Sequence, residues 1–190
     1  LAVDGGTWLA MNLFAAQAVT AVEAVRLRES NASVQQIRER LEELAGNVHG
    51  YMVTRDLYYM RARARHKGDR SVGLLSAALG SALDIKPVLH GYRGETGPVA
   101  KIKGFDNAVQ KLFAVVGQRV RAGLMTPTVC VSYGGELDEL RALPGYAQLK
   151  EVCATHGVTV YESVMSLTGM VNVGKGAVTV GFADGPHRFE

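Results

Sequence analysis

The residues best placed to do chemistry stand near the end of the chain, in Thr168-Gly169-Met170-Val171-Asn172-Val173-Gly174-Lys175-Gly176. Glycine turns expose consecutive backbone amides, and such amides can form an anion-binding nest. Asn172 offers both a donor and an acceptor, and Lys175 adds a positive charge. The chemistry in view is capture of an anion rather than bond-making; the plainer reading of the same residues is a strand-connecting turn. No catalytic set accompanies them. Ser132 lacks a G-x-S-x-G elbow. The five histidines, His49, His66, His90, His156 and His187, show neither an H-x-x-x-H spacing nor a pairing with cysteine, so no metal site and no cofactor is expected. Most carboxylates sit beside arginines along helix-like runs, as solvated surface pairs do. Cys130 and Cys153 lack a C-x-x-C spacing and read as two buried free thiols in a reducing cytosol.

A second charged feature is the run Arg61, Arg63, Arg65, His66, Lys67 and Arg70. It suits an acidic partner, a phosphate or a membrane surface, or simply a solvated helix end. It holds no aromatic residue on which a base could stack, so nucleic-acid binding gains no support. The formal net charge of the 190-residue chain is only +3, which demands no anionic partner. Hydrophobic residues make up 47% and charged residues 21%, ordinary values for a globular chain. No apolar run is long enough to span a bilayer, and no signal peptide is visible.

The elements that would position these groups follow from periodicity. Residues 10 to 28 read as a helix with Ala15, Ala18, Val19, Val22 and Val25 on one face. Ser33 and Gln36 form a capping-box pair, followed by a stripe of Val34, Ile37, Leu41 and Leu44 and a stop at Gly46. Gly50 to Thr54 is strand-like, with a helix from Thr54 through Met60. Ser71 to Leu83 is a helix apolar nearly all round and rich in small residues, including Gly73, Ser76, Ala77 and Gly80. Leu75, Leu79 and Leu83 recur along it at helical spacing. Such a helix is buried on most sides and lets a ligand or a backbone come close. Ile85 to Tyr92 and Pro98 to Lys103 read as a hairpin joined by Arg93-Gly94-Glu95-Thr96-Gly97. Asp106 to Ala122 is the clearest helix, with Val109, Leu112, Phe113, Val116 and Val120 as its apolar stripe. Thr128 to Ser132 and Val158 to Val164 are strands joined through helices broken at Pro144-Gly145, a right-handed parallel unit. Ser166 to Gly176 reads as loop, Ala177 to Phe182 as the last strand, and ADGPHRFE as a frayed tail.

The run LLSAALGSALDIKPVL, the hairpin behind it and VAKIKGF resemble the central signature of the DegV family of bacterial lipid-binding proteins. The run VMSLTGMVNVGKGA resembles that family's closing glycine motif, and the likeness covers nearly the whole chain. The resemblance implies an α/β, DegV-like (EDD) two-domain architecture: residues 1–49 as the remainder of an N-terminal α/β domain, and residues 50–190 as a C-terminal lipid-binding domain with a mixed sheet. Because Leu1 opens inside a strand-like run, N-terminal sequence is expected to be missing.

The same resemblance implies non-enzymatic, cytoplasmic binding of a long-chain fatty acid and its presentation to a partner kinase for phospholipid synthesis, with peripheral membrane contact. Leu75, Leu79 and Gly80 are expected along the acyl chain. Thr7, Thr168, Asn172, Gly174, Lys175 and Gly176 are expected around the head group. The first motif departs from the family pattern: Asp4 and Thr7 agree, but Leu9, Met11 and Leu13 replace a hydroxyl and two glycines. Met170 stands where the branch resembled tends to have glycine, with a bulk that narrows a pocket. An unpaired charge in an apolar cavity is costly. The alternative is therefore an interaction or regulatory module that has lost its lipid. A phosphotransfer enzyme, suggested by a fold relation to some sugar kinases, lacks a nucleotide loop and a catalytic histidine here.

Overall fold

The structure, a computed structural model, describes residues 15–56 and 84–190. The expectations for Thr7, Leu9, Met11 and Leu13, the helix through Met60, the basic run, and Leu75, Leu79 and Gly80 lie outside the described residues.

The described elements are α1 (Ala15–Glu29), α2 (Val34–Ala45), β1 (Val48–Val53), β2 (Ile85–Tyr92), β3 (Glu95–Lys103), α3 (Phe105–Ala122), β4 (Thr128–Tyr133), α4 (Leu137–Arg141), α5 (Tyr146–Thr155), β5 (Thr159–Val164), α6 (Leu167–Val173) and β6 (Val178–Ala183). Six strands form one mixed sheet in the order β3-β2-β1-β6-β4-β5. Only β4 and β5 run parallel, joined through α4 and α5 as the sequence predicts. The other neighbours are antiparallel. The expected division between residues 49 and 50 falls inside β1, whose His49 and Gly50 both pair with β2 and β6.

Side chains alternate across a sheet, so each strand serves two layers. Tyr51, Val53, Val129, Val131, Val180 and Phe182 point to one face. There they meet the α3 stripe, with all of Val109, Leu112, Phe113, Val116 and Val120 buried, and Leu149 and Cys153 of α5. On the other face α1 lies over Val48, Cys130 and Ala183. Gly181 permits that contact. A Cβ built there would lie 2.4 Å from the Ala16 Cα and 2.5 Å from its nitrogen.

Several local expectations are corrected. The buried face of α1 is Ala15, Ala16, Val19, Thr20 and Glu23, whereas Val25 is 54% exposed. Apolar periodicity alone misplaced this face because a carboxylate occupies its centre. The capping box of α2 is present as read, but Val34 lies outside the buried stripe at 86% exposure. The hairpin turn is tighter than Arg93–Gly97. Strand β3 already starts at Glu95, and Arg93 and Gly94 both have positive φ, +50° and +80°, as a two-residue hairpin turn requires. Residues 167–173 form a short helix rather than loop, capped by the Ser166 side chain, which accepts from the Gly169 amide at 3.1 Å.

Glu23 also departs from the surface-pair reading of the carboxylates. It is fully buried. Its oxygens accept from Arg26 at 2.7 and 2.9 Å and from Arg40 of α2 at 3.3 Å. Arg40 donates in turn to the Met125 carbonyl ahead of β4, so one carboxylate ties three segments together. The Arg26 bond holds the Glu23 carboxyl below the ordinary carboxylate range against the opposing effect of burial. Replacing Glu23 with Ala is expected to cost about 2 kcal/mol in chemical denaturation, less than a fully buried pair because Arg26 is half-exposed. An unchanged midpoint would show that the tie does not contribute.

Candidate functional site

The loop from α6 to β6 lies at the end of the sheet where β6 begins. Val173 and Ala177 flank the glycine turn and are buried with Met52, Leu89 and Met165 in an apolar cluster on the α1 face of the sheet. Met170 packs against the same cluster, where its bulk takes up space. Beside Met52 and Leu89 runs a strip without side chains, because Gly91, Gly50 and Gly181 face one another across β2, β1 and β6. An apolar row, a glycine strip that α1 covers at Gly181, and the turn therefore share one face.

The turn does not offer the open nest that its glycines suggest. The Gly174 amide donates to the Met170 carbonyl at 2.8 Å, closing α6. The Gly176 amide donates to the Gly134 carbonyl at 2.8 Å, and the Gly134 amide returns a bond to Ala177 at 2.9 Å. Backbone donors already paired in this way are not free for an anion. The Asn172 side-chain amide donates to the Thr168 carbonyl one turn back, at 2.8 Å. Thr168 and Lys175 are exposed. The structure thus brings Thr168, Asn172, Gly174, Lys175 and Gly176 together on α6 and its turn.

Arg55, which sequence reasoning passed over, lies against this turn. Its guanidinium stacks on the Phe105 ring, 4.1 Å from the centroid. Its carbonyl accepts from Lys86 at 2.7 Å. The signal for it was weak, a lone arginine between Thr54 and Asp56 at the end of a strand-like run.

At the opposite end of β6 three of the five histidines converge, which corrects the reading of scattered residues and of a frayed tail. His187, in the segment after β6, has a side chain only 4% exposed, and Phe189 packs on the core. The bonds fix the tautomers. His49 Nε2 donates to the Asp184 carbonyl at 3.1 Å, so its Nδ1 accepts from His90 Nε2 at 2.9 Å. His187 Nδ1 donates to the Gly185 carbonyl at 2.9 Å, and its Nε2 lies 3.0 Å from the Tyr51 hydroxyl oxygen. Arg119 donates to Asp184 at 2.6 Å and holds the start of the tail. Burial pushes His49 down to about 3 and His90 down to about 4, with His187 adding to both shifts. His49 and His90 are therefore neutral under ordinary conditions. Sequence spacing could not show the cluster, because antiparallel pairing of β1 with β2 and β6 creates it.

The two cysteines are free and buried, as read. Burial pushes the Cys130 thiol up to about 12 and the Cys153 thiol up to about 11, so neither is poised as a nucleophile. A depression of about 340 Å³ lies between the end of α3 and the start of β4, lined by Arg121, Met125, Pro127, His156 and Val158 among others. It is remote from the glycine turn.

The DegV family model, described as an uncharacterised protein family, matches residues 10–184. The chain belongs to the DegV family. A DegV domain-containing protein of Xanthomonas axonopodis pv. citri is 68% identical over 179 residues, covering 94% of this chain and 57% of its own length. The chain thus spans a little over half of that relative. Among solved structures it resembles DegV of Bacillus subtilis, titled a fatty acid binding protein, with a TM-score of 0.64 and 23% identity over 90% of this chain and 57% of that one. It also resembles the Streptococcus pneumoniae Fatty Acid Kinase B3 protein loaded with linoleic acid, with a TM-score of 0.66 and 14% identity over 87% of this chain and 55% of that one. At those identities the likeness establishes the α/β fold of DegV proteins with its mixed sheet. No helix among the described residues is long and apolar enough to cross a membrane.

Proposed function

We propose that this DegV chain binds a long-chain fatty acid without transforming it. The observation that carries the reading is the placement of the apolar cluster of Met52, Leu89, Met165, Val173 and Ala177 directly beside the turn that bears Asn172 and Lys175. An amphiphile with an acyl tail and an anionic head matches that order of surfaces. Each buried methylene of the tail contributes about 0.8 kcal/mol, so a tunnel lined by few polar groups suffices for tight binding. The names of the B. subtilis and S. pneumoniae relatives support the ligand class.

In this reading the tail runs over Met52 and Leu89 beneath Leu75, Leu79 and Gly80. The carboxylate lies near Thr7, Thr168, Asn172 and Lys175, beside the Gly174–Gly176 turn. The lipid-binding unit takes in α1 and the whole of β1, because α1 packs on Val48, Cys130 and Ala183 of the same sheet. The loaded protein works in the cytoplasm and hands the acyl chain to a kinase subunit. Val164, Leu167 and Val171, exposed at 54%, 75% and 64% along β5 and α6, suit brief contact with a bilayer. One observation favours a second reading, an interaction module without lipid: Met170 already fills part of the apolar cluster.

Native mass spectrometry of protein purified from bacterial cells tests both. A single adduct of fatty-acid mass, exchangeable for added oleate, is the expected result. Adduct-free protein that ignores oleate would leave only the interaction module.

A further inference from the structure

We infer that Arg55 is a positioning residue for the carboxylate end of the ligand, acting through the Gly174–Gly176 turn that it supports from outside. The inference rests on the fatty-acid reading above. Strand alternation puts Arg55 on the side of Tyr51 and Val53, the α3 face of the sheet, whereas the apolar cluster with Met52 and Leu89 lies on the other face. The glycine turn crosses the sheet end between the two. Val173 and Ala177 point into the cluster, and Gly176 turns its bare α-carbon to Arg55. A Cβ at Gly176 would lie 2.5 Å from Arg55 Cδ and 2.7 Å from its Nε, so the arginine stem runs straight across that glycine. Gly176 also has φ of +77°, a conformation that suits glycine.

Each part of the Arg55 side chain has a place. The stem covers Gly176, the guanidinium plane lies on Phe105, and its charge reaches the hydroxyl of buried Tyr133, which donates to Glu139 at 3.1 Å. The backbone is anchored as well, because Lys86 bonds the Arg55 carbonyl and pairs with Asp84 at 2.9 Å. Arginine is suited to this task, since a planar group stacks where an ammonium cannot. The opposite wall of the turn is the backbone pair between Gly134 and Gly176–Ala177. Arg55 and that pair together fix where Lys175 and the end of α6 stand. They therefore fix how far Asn172 and Lys175 lie from a carboxylate.

The test uses Arg55→Ala and Arg55→Lys in the natural-length protein, with two readouts. Hydrogen exchange of the Gly176 and Gly134 amides is measured without added lipid. Binding of oleate is compared with binding of oleyl alcohol, which has the same tail and no charge. Arg55→Ala is expected to speed both amides about tenfold at an unchanged melting temperature and to weaken oleate about tenfold, while oleyl alcohol is held as before. Equal loss of both ligands, or unchanged exchange, overturns the inference. Full oleate affinity in Arg55→Lys with fast exchange also overturns it, assigning a direct charge contact instead. Wild-type protein that takes up neither ligand overturns the fatty-acid reading and with it the role toward the head group. The exchange data then report on the support of the turn alone.

Discussion

Gly181→Ala is expected to lower stability by about 3 kcal/mol, near the top of the range for overpacked sites. The added methyl would collide with backbone rather than with a movable side-chain tip. It would lie 2.4 and 2.5 Å from Ala16 Cα and N and 2.8 Å from the Ala15 carbonyl carbon. Helix α1 must then lift from the sheet, and its contacts through Ala15, Ala16 and Val19 with Val48, Cys130 and Ala183 loosen together. For a chain of this size the loss corresponds to a fall of roughly 6–12 °C in melting temperature. Amide exchange should rise across residues 15–29 before it rises in α3. Gly117→Ala is the control. Its methyl would meet nothing nearer than 3.9 Å in the middle of α3, and helix propensity makes it neutral or stabilising by up to about 1 kcal/mol. Equal stability of the Gly181 and Gly117 variants would show that α1 docks less closely than described.

Acid should unfold this protein earlier than its carboxylates alone require. His49 is buried at 1% exposure, and its folded pKa of about 3 lies below the ordinary 6.5 of an unfolded chain. His90 is shifted the same way, to about 4. A depressed imidazole means that the unfolded chain binds more protons. Stability is therefore intact above about pH 6.5 and is lost as the pH falls from there toward about 3. At about pH 5 the loss from His49 is on the order of 2 kcal/mol, with a comparable contribution from His90. The groups around the pair act in both directions: Tyr92 stacks on His49 and Tyr51 on His90, His187 lies tilted against His49 and opposes a charge on either, the Asp184 carbonyl favours one on His49, and Arg119 pairs with Asp184 close by. Melting temperature followed from about pH 7 to about pH 5 should fall by roughly 8–16 °C. His49→Gln should melt lower at neutral pH and lose about half of that slope. Parallel curves for wild type and variant would remove the histidines as the cause. Below the ordinary 4.5 of a carboxylate a second loss begins. Glu162 is held at about 2 by Arg141, Lys150 and Tyr146 against the effect of burial, and its contribution fades as it is protonated.

How much of this was legible in the sequence varied with the range of the interaction that decides it. Helix α3 was readable because five apolar residues at helical spacing meet one sheet face and nothing else competes. The parallel β4–β5 unit was readable because glycine, proline and strand-like runs punctuate it locally. The face of α1 was misread because Glu23, a carboxylate, is buried by two arginines, one of them seventeen residues away. The histidine cluster and the docked tail were invisible because β2 and β6 deliver their members from remote parts of the chain. The glycine turn reads as the mouth of a candidate site, yet its Gly174 and Gly176 amides are taken by Met170 and Gly134. A list of glycines says where the backbone can turn, and not which donors remain free once it has turned.

The position of β6, last of the described strands and third from the β5 edge of the sheet, has a consequence for how the protein is made. Among the described strands it alone pairs with both β1 and β4. While the ribosome still holds residues 178–183, the nascent chain consists of two separate ribbons, β1 to β3 and β4 with β5. Their inner edges are bare and carry Tyr51, Val53, Val129 and Val131. Such edges are templates for wrong partners, and pairing over long sequence separation is slow. Until β6 is made the two ribbons keep those open edges, and a message cut short of β6 is expected to yield an aggregate rather than a smaller working domain.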